Sequence, residues 1–231
     1  MVDCVNSPAQ DASEQSTAVI DTRLTHEVHR VATTLLAEAA VETSVPPAAL
    51  LALRDFLVAS LRHHDQAEDD DLWPRIIAVA PDTADALHAL SAEHEQLKAA
   101  LDALSDVAMT ADREAMTADG AASEADRTAL RQAAIAVRDL VHEHLAHEEP
   151  LLLPALREHI SPAAWDEFAQ KVISTAPPVG GHLMIGFLAE VGTPAEVEAV
   201  LAGVPEPMRP LLPALRAQAA DDIRVLRGAG S

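Results

Sequence analysis

Eleven of the 231 residues are histidines, and several of them stand where a helix would carry a leucine. Leu87, Leu90, His94, Leu97, Leu101 and Leu104 step by 3,4,3,4,3, the spacing of one inward seam of an α-helix, with a single imidazole among five leucines. A second seam runs through Leu130, Ala134, Val137, Val141, His144, Glu148, Leu151 and Ala155 in steps of 4,3,4,3,4,3,4, so a His and a Glu both take core positions. In a third, Leu50, Leu57, Leu61 and His64 share a face, and Glu68 follows one turn later. A lone seam histidine is ordinarily a hydrogen-bonded core residue. Two carboxylates on buried seams are not ordinary, because an unpaired ionised Glu in an apolar interior costs on the order of several kcal/mol or is driven neutral. A metal cation between facing helices removes that penalty, since carboxylate and neutral imidazole are both natural ligands.

The pattern is duplicated. His64-Asp-Gln-Ala-Glu68-Asp69-Asp-Asp-Leu72-Trp73-Pro74 aligns without a gap on His144-Leu-Ala-His-Glu148-Glu149-Pro-Leu-Leu152-Leu153-Pro154, at an offset of eighty residues. His, Glu at +4, an acid at +5, Leu at +8, a large apolar residue at +9 and Pro at +10 all recur. An interior Pro costs a helix about 3 kcal/mol, so the repeated proline predicts a matched bend or stop. Two halves that each supply His-x-x-x-Glu would enclose a pair of metal ions. The first helix completes the set with His26 or His29; His29 is the choice here, because it continues into Ala32, Leu36 and Ala39 at 3,4,3 spacing. His63, His142 and His147 flank the motifs as exposed or structural residues, or as partners behind the ligands. Asp69 and Glu149 could hydrogen-bond the ligating imidazoles, although acids at a helix surface are usually solvated. Asp69, Asp70 and Asp71 together read as a solvated charge run, and His88 as solvated too.

The elements that must position these residues are helices, since Ala and Leu dominate and β-branched runs are scarce. The punctuation predicts helices over about 21–41, 47–79 with an interruption near Pro74, from the Pro81-Asp82 break to about 107 with Asp82 as N-cap, and about 123–159. Residues 1–19 read as a disordered lead-in and 108–123 as a loop. Residues 161–231 read as a short helical C-terminal extension packed on the rest, with Ser161-Pro162 and Thr193-Pro194 opening helices. Apolar residues make up 49% of the chain, enough for a substantial core, while Lys+Arg is 16 against 37 for Asp+Glu, a net charge of −21. Such acidity argues against nucleic acid and membrane surfaces as partners, and with 2% aromatic residues there are few stacking platforms for bases. Cys4, the single cysteine, excludes a thiolate cage. With no span-length apolar run and no signal pattern, the expectation is a cytoplasmic protein.

Over about residues 20–160 the chain resembles the hemerythrin-like, HHE cation-binding family, whose pattern is His, His-x-x-x-Glu, His, His-x-x-x-Glu on four successive helices. The phrases HHDQAEDDDLWP, SAEHEQL and EHLAHEEPLLLP carry the resemblance, and the tail loosely resembles the extension of some actinobacterial-type members. The resemblance implies an all-α fold, an up-down-up-down four-helix bundle. It also implies two non-haem iron ions, oxo- or hydroxo-bridged, with His29, His64, Glu68, His94, His144 and Glu148 as the metal ligands. Two departures bear on function. The oxygen-carrying branch has a second His four residues after the third-helix one, where this chain has Lys98. It also has a bridging Asp five residues after its last His, where this chain has Glu149 beside Glu148. Four imidazoles and two carboxylates leave positions open on two six-coordinate irons, and an open site is more often reactive than a pure carrier. The expected partners are small molecules (dioxygen, hydrogen peroxide or nitric oxide), with catalase- or peroxidase-like redox protection as the function. A sensor or carrier of oxygen, iron or nitric oxide is the alternative, and a structural bundle holding zinc or no metal is a third. The ferritin-like class needs Glu-x-x-His, and no His here has Glu three residues before it; the zinc-protease His-Glu-x-x-His is absent too.

Overall fold

The computed structural model describes residues 16–109 and 124–228, and their regular structure is helical, with no strand among them. The lead-in expected over 1–19 lies mostly outside the described residues, as does nearly all of the loop expected over 108–123, and so does Cys4. Nine α-helices are described: α1 (Thr17–Ala39), α2 (Pro47–Ala67), α3 (Trp73–Val79), α4 (Ala84–Ser105), α5 (Glu124–His159), α6 (Pro162–Thr175), α7 (Gly181–Val191), α8 (Pro194–Ala202) and α9 (Leu212–Leu226). None of the described helices is long and apolar enough to cross a membrane.

Local chemistry sets many of the boundaries. Pro47, Pro162 and Pro194 each occupy the first turn, where a missing N–H costs nothing. Ser161 caps α6 by accepting from the Ala164 N–H at 3.3 Å, and Thr193 and Glu196 form a reciprocal capping box on α8. Asp82 does not cap α4 as expected: it lies inside a 3₁₀ turn, Pro81–Thr83, that leads into the helix. Between α2 and α3 the chain makes one wide π turn over Glu68–Leu72. Pro74 follows two residues later and cannot donate to the carbonyl four residues behind it, so the wider turn relieves a ladder that the proline has already broken. The matched proline of the repeat behaves differently, for α5 runs through Pro150 and Pro154 to His159. The same helix departs from its expected seam at one point: Leu151 is exposed and Leu152 is buried in its place, four residues after Glu148.

Helices α1, α2, α4 and α5 close a ring in which α1 packs on α2 and α5, and α4 packs on α2 and α5. Their seams fill the ring with two apolar clusters. One contains Leu24, Val28, Leu50, Leu57, Leu61, Leu97, Leu101, Leu130, Val137 and Val141. The other contains Val19, Leu72, Trp73, Ile76, Leu87, Leu90, Leu152 and Leu156. Helices α1, α4 and α5 cross from one cluster to the other, α2 does so through the π turn and α3 that follow it, and at each crossing polar residues stand instead of leucine. Buried apolar surface at about 25 cal/mol per Å² stabilises both clusters, so the polar belt between them is held at a fixed level by packing above and below.

The extension belongs to the same body. Leu183, Phe187 and Leu188 of α7 and Ile223 and Leu226 of α9 join the first apolar cluster, and Phe187 stacks on Phe56 with ring centroids 6.2 Å apart. Gly180, at φ +67°, turns the chain into α7 directly over that ring; a Cβ there would lie 2.6 Å from the Phe56 Cβ. Helix α6 is tied to α1 by the Trp165 Nε1–H, which donates to Asp21 Oδ2 at 2.9 Å.

Candidate metal centre

The polar belt holds His26 from α1, His64 from α2, Glu68 from the start of the π turn, His94 from α4, and His144 and Glu148 from α5. His26, His94, His144 and both glutamates are at most 4% exposed, and His64 is partly buried. Their donor atoms converge in two groups: His26, His64, Glu68 and Glu148 in one, and Glu68, His94 and His144 in the other, each within 4.8 Å. Glu68 is common to both groups. Its Oε1 lies 3.3 Å from His64 Nε2 and 4.0 Å from His26 Nε2, while its Oε2 lies 3.7 Å from His94 Nε2. Glu148 Oε2 stands 3.5 Å from both His26 Nε2 and His144 Nε2. Each carboxylate therefore reaches imidazoles of both groups.

Five of the six residues expected from the sequence come together here, and the sixth place belongs to His26 rather than His29. His29 is fully buried but sits in neither group; its Nε2 meets Ser60 Oγ at 3.0 Å, and its ring packs edge-on to His64. Burial, followed by the nearby His26, pushes the His29 imidazole down to about 3, which keeps it neutral. The two histidines lie three residues apart on one buried face, so seam spacing admits both. They differ by about 4.5 Å along the helix axis, and only His26 is level with the carboxylates.

Three imidazoles in the belt have a carboxylate behind them. Glu149 Oε1 is 3.1 Å from His26 Nδ1, Asp69 Oδ2 is 3.0 Å from His94 Nδ1, and Glu93 Oε2 is 3.0 Å from His144 Nδ1. A carboxylate on Nδ1 fixes the proton there, so Nδ1–H donates outward and Nε2 turns its lone pair toward the centre. Partial burial alone would push the Glu149 carboxyl up, but the hydrogen bonds from His26 and Arg30 outweigh it and hold the group down at about 2. Asp69 and Glu149 are thus structural partners of imidazoles and not merely solvated acids. Glu93 was not foreseen: it precedes His94 and points to another face of α4, so no seam pattern marks it, and only the packing of α4 on α5 brings it to His144. His147 meets the other oxygen of Glu93 at 3.0 Å, and Trp73 stacks on His94 at 4.8 Å between ring centroids. His63 reaches Thr175, His142 faces Thr34 and the Arg30 carbonyl, and His88 is exposed. Lys98, four residues beyond His94, points outward to Glu95 at 3.6 Å.

The interior of this belt is electrostatically incomplete. His26 Nε2, His64 Nε2, Glu68 Oε2 and both oxygens of Glu148 are buried without a hydrogen-bond partner. Burial, with the charge of Glu148 next in weight, holds the Glu68 carboxyl well above its usual range, and burial holds His64 well below the imidazole range. Lone pairs and negative charge converging without donors are what a cation satisfies, and the mixed nitrogen and oxygen set suits a first-row transition metal. The residues present fit a metal ion on both sides of Glu68. No curated protein and no solved structure matches this chain. Residues 21–156, more than half of its length, match the model of the hemerythrin HHE cation binding domain, the segment that supplies every one of these donors, and the chain belongs to that family.

Proposed function

We propose that the chain is a non-haem di-iron protein that reacts with hydrogen peroxide, dioxygen or nitric oxide in redox protection. His26 and His64 would hold one iron and His94 and His144 the other, with Glu68 and Glu148 shared between them. The observation that carries this reading is Glu148: a fully buried glutamate, both oxygens unpartnered, reaching an imidazole of each group. A structural role for such a residue would leave a buried charge uncompensated, at a cost of several kcal/mol on the order of a broken buried ion pair. When bound, a pair of irons supplies one-electron steps between the ferrous and ferric states to a small oxidant. The chain supplies the rest. Four imidazoles present nitrogen lone pairs, two carboxylates offset the positive charge, and the apolar clusters above and below keep bulk water and large molecules out. The donor set of four imidazoles and two carboxylates, with Lys98 turned away, leaves room for a reactant.

The same reading includes an up-down-up-down order for the ring helices. Contacts between α1 and α5 run in opposite senses, His26 to Glu149, Thr34 to His142, and the Glu42 carbonyl to Arg127. Those between α2 and α4 do likewise, with Arg54 meeting the Val107 carbonyl, Arg62 meeting Asp102, and Asp69 meeting His94. His29 with Ser60 and His26 with His64 run antiparallel between α1 and α2.

The test is iron per chain and visible spectrum, followed by peroxide added to the iron-loaded protein in an oxygen electrode. Two irons and sustained oxygen release support the enzyme. A stable, reversible oxygen-dependent spectrum without turnover makes the protein a carrier or sensor, and a single zinc without iron overturns the di-iron reading.

A further inference from the structure

The carboxylates behind the imidazoles are not evenly shared between the two groups. On the His94/His144 side both imidazoles are backed. Asp69 holds His94 through Oδ2 and takes a neutral hydroxyl, from Ser91 Oγ at 2.9 Å, on Oδ1. Glu93 holds His144 through Oε2 and takes the His147 ring on Oε1. On the His26/His64 side only His26 is backed. The Glu149 oxygen that accepts from its Nδ1 also pairs with the Arg30 guanidinium at 2.8 Å, so the negative charge behind His26 is shared with a cation. His64 Nδ1 has no hydrogen-bond partner among the described residues, and its side chain is 14% exposed, the least covered of the four.

We propose that this uneven backing makes the two metal positions unequal, so that the His94/His144 position fills first and holds its ion more tightly than the His26/His64 position. A carboxylate on Nδ1 raises the basicity of the metal-facing nitrogen and locks the ring, and losing such a partner costs about 10–100-fold in metal affinity. The His94/His144 position has two anionic partners and no guanidinium beside them; the other has one, matched by Arg30. The carboxylates facing the metal do not favour the His94/His144 position, since Glu68 is common to both groups and Glu148, 3.5 Å from His26 and from His144, joins only the His26/His64 group; the preference comes from behind the imidazoles. Asp69 and Glu93 are then positioning residues that set which half of the centre is permanent. The inference rests on the two-metal reading above.

The experiment isolates each position in the full chain, because repulsion between two ions would produce two steps even at equal sites. His64→Ala leaves the His94/His144 position; His144→Ala leaves the other. Each metal-free protein is titrated anaerobically with cobalt(II) at about pH 8, above the ordinary imidazole range, with the cobalt visible spectrum and a competing chelator as readouts. Circular dichroism of the metal-free proteins checks that each is folded. The expected result is that the His64→Ala protein binds cobalt at least about 10-fold tighter than the His144→Ala protein. Adding Asp69→Asn to His64→Ala, which keeps an acceptor but removes the charge, abolishes that advantage and shifts the cobalt spectrum. Equal affinities, or tighter binding in the His144→Ala protein, would overturn the inference while leaving the two-metal reading intact. Failure of the unsubstituted chain to bind two ions would overturn that reading and the inference with it.

Discussion

Glu148 and Glu68 face each other across the ring interior, and burial together with the charge of Glu148 holds the Glu68 carboxyl well above its usual range. Glu148→Gln removes that repulsion and keeps the shape. In metal-free protein the variant is therefore expected to be more stable than the parent, by about 1–3 kcal/mol, the scale of an unsatisfied buried polar group. In iron-loaded protein the order reverses, because the lost carboxylate weakens binding and with it the stabilisation that a bound ligand confers. Thermal unfolding of both forms checks the crossing; a variant less stable in both states would mean that Glu148 is an ordinary structural residue. The histidines of α1 give a second residue-level test. His26→Gln is expected to lower the metal bound per chain, whereas His29→Gln keeps the parent's content and loses only packing and the Ser60 contact, as elemental analysis would show. These two residues also mark where the sequence stops being legible. His64, Glu68, His94, His144 and Glu148 are readable because each interrupts a leucine seam at one level. His26 and His29 lie on the same buried face, so periodicity marks both, and the level of the carboxylates on neighbouring helices, which no local pattern contains, separates them.

At the scale of elements, the helices were legible from Ala and Leu content and from their proline punctuation, down to the Ser161 and Thr193 caps. The duplicated prolines were legible as a repeat but not in their effect. Pro74 follows a π turn, whereas Pro150 and Pro154 are carried inside α5, which is braced along its length by α1 and α4. Nor did any pattern reveal that α6 is tied to α1 by the Trp165–Asp21 hydrogen bond. That bond carries a pH signature. Burial pushes the Asp21 carboxyl up; the Trp165 hydrogen bond pulls it down, and Asp166 adds to the rise, with a net upward shift. A carboxyl whose folded-state value is raised keeps its proton longer than it does in the unfolded chain. Its burial therefore penalises stability as pH rises from the unfolded value, near 3.9, through the folded one. Asp21→Asn keeps an acceptor for the Trp165 N–H and removes the charge. The variant is expected to be more stable than the parent at neutral pH, with the gain disappearing below about pH 4, where the parent carboxyl is protonated in both states. Denaturant unfolding at a series of pH values measures it. A gain that persists undiminished at low pH would trace the effect to packing instead.

Over the whole molecule, the donors all come from α1, α2, the π turn, α4 and α5, while the extension contributes none. Yet α7 and α9 are sealed into the same apolar cluster that floors the polar belt, through Leu183, Phe187, Leu188, Ile223 and Leu226. The high Leu and Val content of the tail made packing legible; which face it would cover was not, because that depends on Phe187 of α7 meeting Phe56 of α2, a contact between residues far apart in sequence. Gly186 separates the two roles. It lies where α7 crosses α9, and a Cβ there would stand 2.6 Å from the Ala219 Cβ and 2.9 Å from Ile223 Cδ1. Gly186→Val cannot be absorbed by a flexible side-chain end, since Ala219 has none, so the helices must part. Overpacking of this kind costs about 1–3 kcal/mol, and the expected outcome is a lowered melting temperature for the unfolding of the whole chain. The second apolar cluster, on the far side of the belt, joins α1, α4 and α5 with the π turn and α3, and α7 and α9 contribute nothing to it. Iron content per folded chain should therefore stay at the parent's level, and the visible spectrum unchanged, while stability falls. If iron is lost in step with stability, the extension is part of the frame that holds the donors level; if the melting temperature does not move, α7 and α9 do not press together at Gly186 as described.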